Sequence, residues 1–190
     1  MKYKKASVLF ILCTLTTSCS SFYTFNKYAT ARFYTIYQSN GSNACKFKPN
    51  FNDCAEKINF DVKISDDNNK IALSKFINQS DDISYFGFTR DDFSNQTKPI
   101  RDFLSWVKEN DTTDKAITMK RPAGNVNGSF FENEEVEYTF QFIHTRAGIP
   151  MLIINSGGRN YYGLTYDESI KLLQLIDSWY NNTFSEKKIF

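Results

Sequence analysis

A single histidine, His144, is the only imidazole in the 190-residue chain. Any Ser-His-Asp or Cys-His chemistry at neutral pH would have to pass through it. No G-x-S-x-G turn exists to supply a nucleophile, and the position of His144 at the end of a strand-like run predicts a capping or partly exposed residue. Three acidic doublets, Asp66-Asp67, Asp81-Asp82 and Asp91-Asp92, offer neighbouring carboxylates. None has the D-x-D-x-D-G alternation that wraps Ca²⁺, and all three fall at predicted turns, where Asp bonds its own backbone. A glycosidase-type carboxylate pair assembled from distant positions stays open. Ser156-Gly157-Gly158-Arg159 has the composition of an anion-binding turn. A strand follows it instead of a helix, so the dipole half of a phosphate site is missing and a hairpin turn is predicted. Arg121-Pro122-Ala123-Gly124 reads likewise as a loop with one exposed charge.

The elements that would position these residues show in the hydrophobic period. Lys57 to Ile64 (KINFDVKI) alternates cleanly, with Ile58, Phe60, Val62 and Ile64 on one face. Ser65 to Asn69 is a turn cluster, and Lys70 to Ile77 can return as the hairpin partner. Further strands are predicted over Thr30 to Tyr37, Ile83 to Phe88, Ala116 to Lys120, Val136 to His144, Ile149 to Ile154 and Tyr161 to Leu164. The nearly continuous apolar run IPMLII suits a central strand. The period changes over 98–109, where Ile100, Phe103, Leu104 and Val107 recur at helical spacing and Pro99 falls in the first turn. A second helix is predicted over 166–181. Thr165 and Glu168 form a capping box, and Ile170, Leu173, Ile176 and Tyr180 make a stripe with Leu172 and Trp179 beside it. The fold class is α+β: a mainly antiparallel sheet or sandwich of about six to eight strands with two amphipathic helices.

The first residues read as an address. Met1-Lys2-Tyr3-Lys4-Lys5 is a charged n-region, and Ala6 to Leu15 is an apolar run too short to span a bilayer. Thr16-Thr17-Ser18-Cys19 follows, and this ending resembles the lipobox of bacterial lipoprotein precursors, although Thr16 stands where that family usually carries Leu. The resemblance covers the first twenty residues. It implies cleavage before Cys19, lipidation of the Cys19 thiol, and, with Ser20 next, sorting to the outer membrane facing the periplasm. Two or more acyl chains hold a protein at a bilayer where one does so marginally. The chain then divides into a signal peptide (1–18), a tether (19–29) and one α+β domain (30–190). Six Asn residues head N-x-S/T triplets, glycan acceptors only in a eukaryotic secretory route.

With Cys13 in the signal and Cys19 given to lipid, Cys45 and Cys54 remain. They flank a short polar loop, and an oxidising compartment predicts a disulfide between them. Two such sulfurs and one distant His do not make a zinc set, so no metal or cofactor is expected.

The 23 Lys and Arg against 21 Asp and Glu give a formal charge of +2. Removing 1–18 takes Lys2, Lys4 and Lys5, which leaves 20 basic against 21 acidic residues, or −1. A nearly neutral domain without a basic stripe implies no nucleic-acid partner. No linker or internal repeat divides the domain region. Aromatics make up 16% of the chain, more than the strand faces absorb. Those left over are Phe22, Tyr23, Phe25 and Tyr28 in the tether, Trp106 off its helical stripe, and one of Tyr161 and Tyr162. Trp106, Tyr161, Tyr162 and Arg159 are therefore the predicted interface residues. The expectation is a membrane-anchored, non-catalytic envelope module that binds another protein, as an assembly, secretion-system or toxin-immunity component. The alternatives are a periplasmic module for a glycan or small apolar ligand, and an envelope hydrolase.

Overall fold

The computed structural model describes residues 34–78, 81–122, 135–155 and 161–188. Among these residues nine strands and two helices follow in chain order. The first four strands are β1 (Tyr34–Lys48), β2 (Asp53–Ser65), β3 (Lys70–Asn78) and β4 (Asp81–Thr89), followed by α1 (Phe93–Lys108). Then come β5 (Lys115–Pro122), β6 (Glu135–His144), β7 (Pro150–Asn155), β8 (Tyr161–Thr165), α2 (Tyr166–Tyr180) and the short β9 (Lys187–Lys188). The α+β reading holds, with all nine strands in one antiparallel sheet.

The strand order is β4-β3-β2-β1-β8-β7-β6-β5, with β9 pairing β1 off this path. Each half of the chain is thus a four-strand meander followed by a helix. The plan occurs twice although no sequence repeat announces it. The halves meet where Cys45, Lys46 and Phe47 of β1 pair with Gly163, Tyr162 and Tyr161 of β8. At the far ends of the path, β4 and β5 approach each other, so the sheet curls around its helices.

The core lies between the inner sheet face and the helices. Ile58, Phe60, Val62 and Ile64 of β2 point into it as their alternation predicts. Met151, Leu152, Ile153 and Ile154 are all buried, because β7 is flanked by β6 and β8 and covered on both faces. The capping box on α2 is present: Glu168 N donates to Thr165 Oγ1 (3.3 Å), and Thr165 N donates to Glu168 Oε2 (2.9 Å).

Both helices are rotated from the predicted stripe. In α2 the buried face runs through Ser169, Leu172, Ile176 and Trp179, while Ile170 is half-buried and Tyr180 is exposed. In α1 the helix begins at Phe93, several residues before the apolar period starts, and Phe93, Gln96, Thr97, Ile100, Phe103 and Trp106 face the core. Gln96 can be buried because its amide is satisfied by Thr89: Thr89 N donates to Gln96 Oε1 (2.7 Å) and Gln96 Nε2 donates to Thr89 Oγ1 (3.1 Å). Pro99 consequently sits inside the helix rather than in its first turn. Lacking an N–H, it gives up the bond that would have run to the Asn95 carbonyl.

Candidate interaction surface

The predicted chemistry-bearing residues are spread over the sheet. His144 ends β6, its ring half-buried and 4.8 Å from the Trp106 ring. Among the described residues no hydroxyl, thiol or carboxylate is hydrogen-bonded to that ring. Asp67 belongs to the β2–β3 turn and accepts from Ser65 Oγ (2.6 Å) and Asn69 N (3.0 Å). Those bonds, the Ser65 hydroxyl foremost, hold its carboxyl below the usual carboxylate range. Asp91 is lowered as well, chiefly by the Thr89 hydroxyl, and Asp92 accepts from Asn95 Nδ2 (2.7 Å) at the start of α1. Asp81 and Asp82 are the first residues of β4 and not turn residues. Among the described residues no three His, Cys, Asp or Glu side chains converge as a metal site.

The predicted interface group needs correction. Trp106 is 1% exposed. It packs between Phe103 and Phe142, with His144 beside it, and its Nε1 donates to the Thr113 carbonyl (3.0 Å). Its burial comes from the residues packed around it, Phe142 of β6 and the loop carbonyl of Thr113, which extend the buried face of α1 beyond the apolar stripe. Tyr162 is also buried, edge-on to Phe60 at 5.7 Å, and burial pushes its phenol pKa up. Tyr161 is half-buried against a small second cluster of Cys45, Phe47, Met151 and Ile153 on the outer sheet face. Arg159 and the turn around it lie outside the described residues, as do Cys19 and the tether.

That outer cluster is built by the β1–β2 hairpin. Cys45 and Cys54 are joined by a disulfide, with Cα atoms 5.6 Å apart. The hairpin tip folds over β8 and β7, bringing Cys54 Sγ to 3.8 Å from Met151 Sδ. Gly163 makes the fit possible: a Cβ there would lie 2.6 Å from Met151 Cε and 2.9 Å from Cys45 Sγ. Beyond the disulfide, Pro49–Phe51 form a 3₁₀ turn that ends on Asn52, whose φ of 49° is left-handed. Asparagine tolerates that conformation better than most residues. Asn52 Nδ2 donates to the His144 carbonyl (3.0 Å), tying the tip to the end of β6 across 92 residues of sequence.

This bond brings two loops to one apex. The β6–β7 turn is closed by Thr145 N to Ile149 O and by Gly148 N to Thr145 O, both 2.9 Å, with Gly148 at φ +75°. Phe51 is 60% exposed and Ile149 48% exposed, well above Tyr180 at 38%. Tyr180 is moreover engaged, stacked on Phe93 at 3.9 Å. Lys48 Nζ lies 5.9 Å from the Phe51 ring, and Arg146 is exposed in the neighbouring turn. Among the described residues neither cation is paired with a carboxylate. Sequence reasoning passed over Phe51, although one large aromatic between Pro49-Asn50 and Asn52-Asp53, inside a cysteine-closed loop, has no strand face to fill. A shallow groove of about 260 Å³ between α2 and the segment after it is lined by Lys171, Gln174, Ser178 and Glu186 among others.

No protein-family model, curated protein or solved structure matches this chain.

Proposed function

We propose that the chain is a bacterial envelope lipoprotein, anchored through Cys19, whose domain is a non-catalytic protein-interaction module. The observation that carries this reading is the Cys45–Cys54 disulfide. Such bonds persist in oxidising compartments, the destination implied by the charged n-region, the short apolar run and the Thr16-Thr17-Ser18-Cys19 ending. Among the described residues no helix is long and apolar enough to cross a membrane, and a lipid on Cys19 would supply the attachment. The interaction role draws support from the apex, where a disulfide-braced hairpin and a closed turn hold Phe51 and Ile149 toward solvent. Sorting to the outer membrane, facing the periplasm, follows from Ser20.

Fractionation tests the anchor. The intact protein should sediment with membranes, and Cys19→Ala should move to the soluble fraction with its fold unchanged. Retention of the variant after a salt wash would overturn the lipid attachment. Affinity capture with the intact lipoprotein tests the role: one stoichiometric protein partner is expected, whereas retention on glycan would move the assignment to ligand binding.

A further inference from the structure

We infer that the apex formed by Phe51, Ile149, Lys48 and Arg146 is the docking surface for a protein that offers an apolar pocket edged by carboxylates. The inference rests on the interaction role proposed above and names the surface and the chemistry of its partner.

Three observations converge. The first is an aromatic anchor: binding energy concentrates on a few large side chains, with Trp, Tyr and Arg enriched and the best anchors seated in desolvated pockets. Phe51 and Ile149 are the two most exposed large apolar residues among those described. The second is rigidity. The disulfide, the Asn52–His144 bond and the Thr145–Ile149 closure fix both residues before any partner arrives. A preordered loop loses little further conformational freedom on binding. The third is charge. Lys48 lies over the Phe51 ring and Arg146 is exposed in the turn that carries Ile149, and among the described residues no carboxylate is paired with either. A partner edged by Asp or Glu would complement them and steer the encounter.

Charge also separates a protein partner from its rivals. A bilayer of anionic lipid is recognised by clusters of roughly four to eight cations. The apex offers two, with exposed Asp53 beside them. A second copy of this chain would set Lys48 and Arg146 against their own kind, and like charges across an interface are unfavourable.

Photo-crosslinking of the full-length lipoprotein in the cells that make it provides the test. A benzophenone side chain replaces Phe51 in one variant and Gln174, on the outer face of α2, in another. Because both positions are exposed, the substitutions spare the core, and intact Cys45–Cys54 linkage in each variant reports the fold. The expected result is one protein adduct from position 51, mapping to a segment with Asp or Glu beside apolar residues. That adduct should fall about tenfold when Lys48→Glu and Arg146→Glu are added, the effect of roughly 1.4 kcal/mol in binding. An adduct with lipid, with a second copy, with a segment lacking carboxylates, or one indifferent to the charge reversals overturns the inference. So does no adduct at position 51. If position 174 captures a stoichiometric partner where position 51 does not, the interaction role survives and this surface fails. If neither position captures one and the intact chain retains none, both fail together.

Discussion

The Arg90 guanidinium donates from Nη2 to the carbonyl of Trp179 at 2.9 Å while its centre lies 4.8 Å from that residue's own ring. Nη1 donates to the Tyr180 carbonyl (2.7 Å) and Nε to the Asn68 carbonyl (2.6 Å). One side chain thus satisfies carbonyls at the C-terminal end of α2, where a cation is favoured by the helix dipole, and binds them to the β2–β3 turn. Trp179 completes the junction by donating from Nε1 to Asn68 Oδ1 (2.9 Å).

Arg90→Ala should therefore destabilise the domain by about 3 kcal/mol, the scale of losing charge-assisted hydrogen bonds at a partly buried site. Arg90→Lys should recover less than half, since a single ammonium cannot span three carbonyls as the planar fork does. Urea unfolding followed by Trp fluorescence measures both. A loss under 0.5 kcal/mol, at the level of ordinary surface substitutions, would show that the junction does not depend on Arg90.

Removing the disulfide with Cys45→Ser and Cys54→Ser should lower stability by about 2–3 kcal/mol, the loop-closure scale for so short a ring. The effect should also be local: amide exchange at Asn52 and around Thr145 should rise more than in the centre of β2. Peptide mapping without reductant should recover Cys45 and Cys54 in one linked species. Alkylated thiols at both positions would refute the bond.

Gly163→Ala places a methyl group against Met151 Cε and Cys45 Sγ, and overpacking of this kind costs about 1–3 kcal/mol. The two neighbours differ in their ability to yield. The Met151 terminus can rotate, whereas Cys45 Sγ is held by its bond to Cys54. Most of the loss should therefore disappear when Gly163→Ala is combined with Cys45→Ala and Cys54→Ala. An unchanged loss in that background would place the strain elsewhere.

Acid should loosen the β2–β3 turn through Asp67. Its carboxyl is lowered by the Ser65 hydroxyl and the Asn69 amide, so in the acid range the unfolded chain binds more protons than the folded one. The contribution is complete above the unfolded carboxylate pKa and is lost as pH falls through the lower, folded value. Asp67→Asn should flatten the acid limb of a stability-versus-pH curve and leave stability at neutral pH almost unaltered in its pH slope. A limb of unchanged steepness would show that Asp67 is not linked to folding.

Much of this architecture was legible because it is local. The alternation of Ile58, Phe60, Val62 and Ile64 sets β2 by itself, and Thr165 with Glu168 marks the start of α2 within four residues. Other features depend on contacts that no short window contains. The first turn of α1, Phe93 to Gln96, precedes the apolar period and carries Ser94, Asn95 and Gln96, of which Gln96 is buried against Thr89. Trp106 looked surplus because the groups that bury it, Phe142 of β6 and the Thr113 carbonyl, lie outside its helix. The apex was the least legible part: the loop carrying Phe51 is tied to the end of β6 through Asn52 and His144, 92 residues apart, and Arg90 reaches Trp179 across 89 residues.

The strand order has a consequence in time. β1 to β4 can pair as soon as they exist, since each partner is the next strand along the chain, and near-neighbour pairings form fastest. The edge of β1 at Cys45, Lys46 and Phe47 is different, because its partner is β8, which follows more than a hundred residues later. Until β8 arrives, that edge carries open backbone donors and acceptors, the feature by which partly folded chains stick to one another. The Cys45–Cys54 bond, only nine residues apart, can close before this happens and restrict the hairpin while it waits. Pulse-labelled hydrogen exchange during refolding should find β2 and β3 protected before β8. The reducing agent that opens this ring should raise aggregation during refolding more than it lowers the stability of the finished fold.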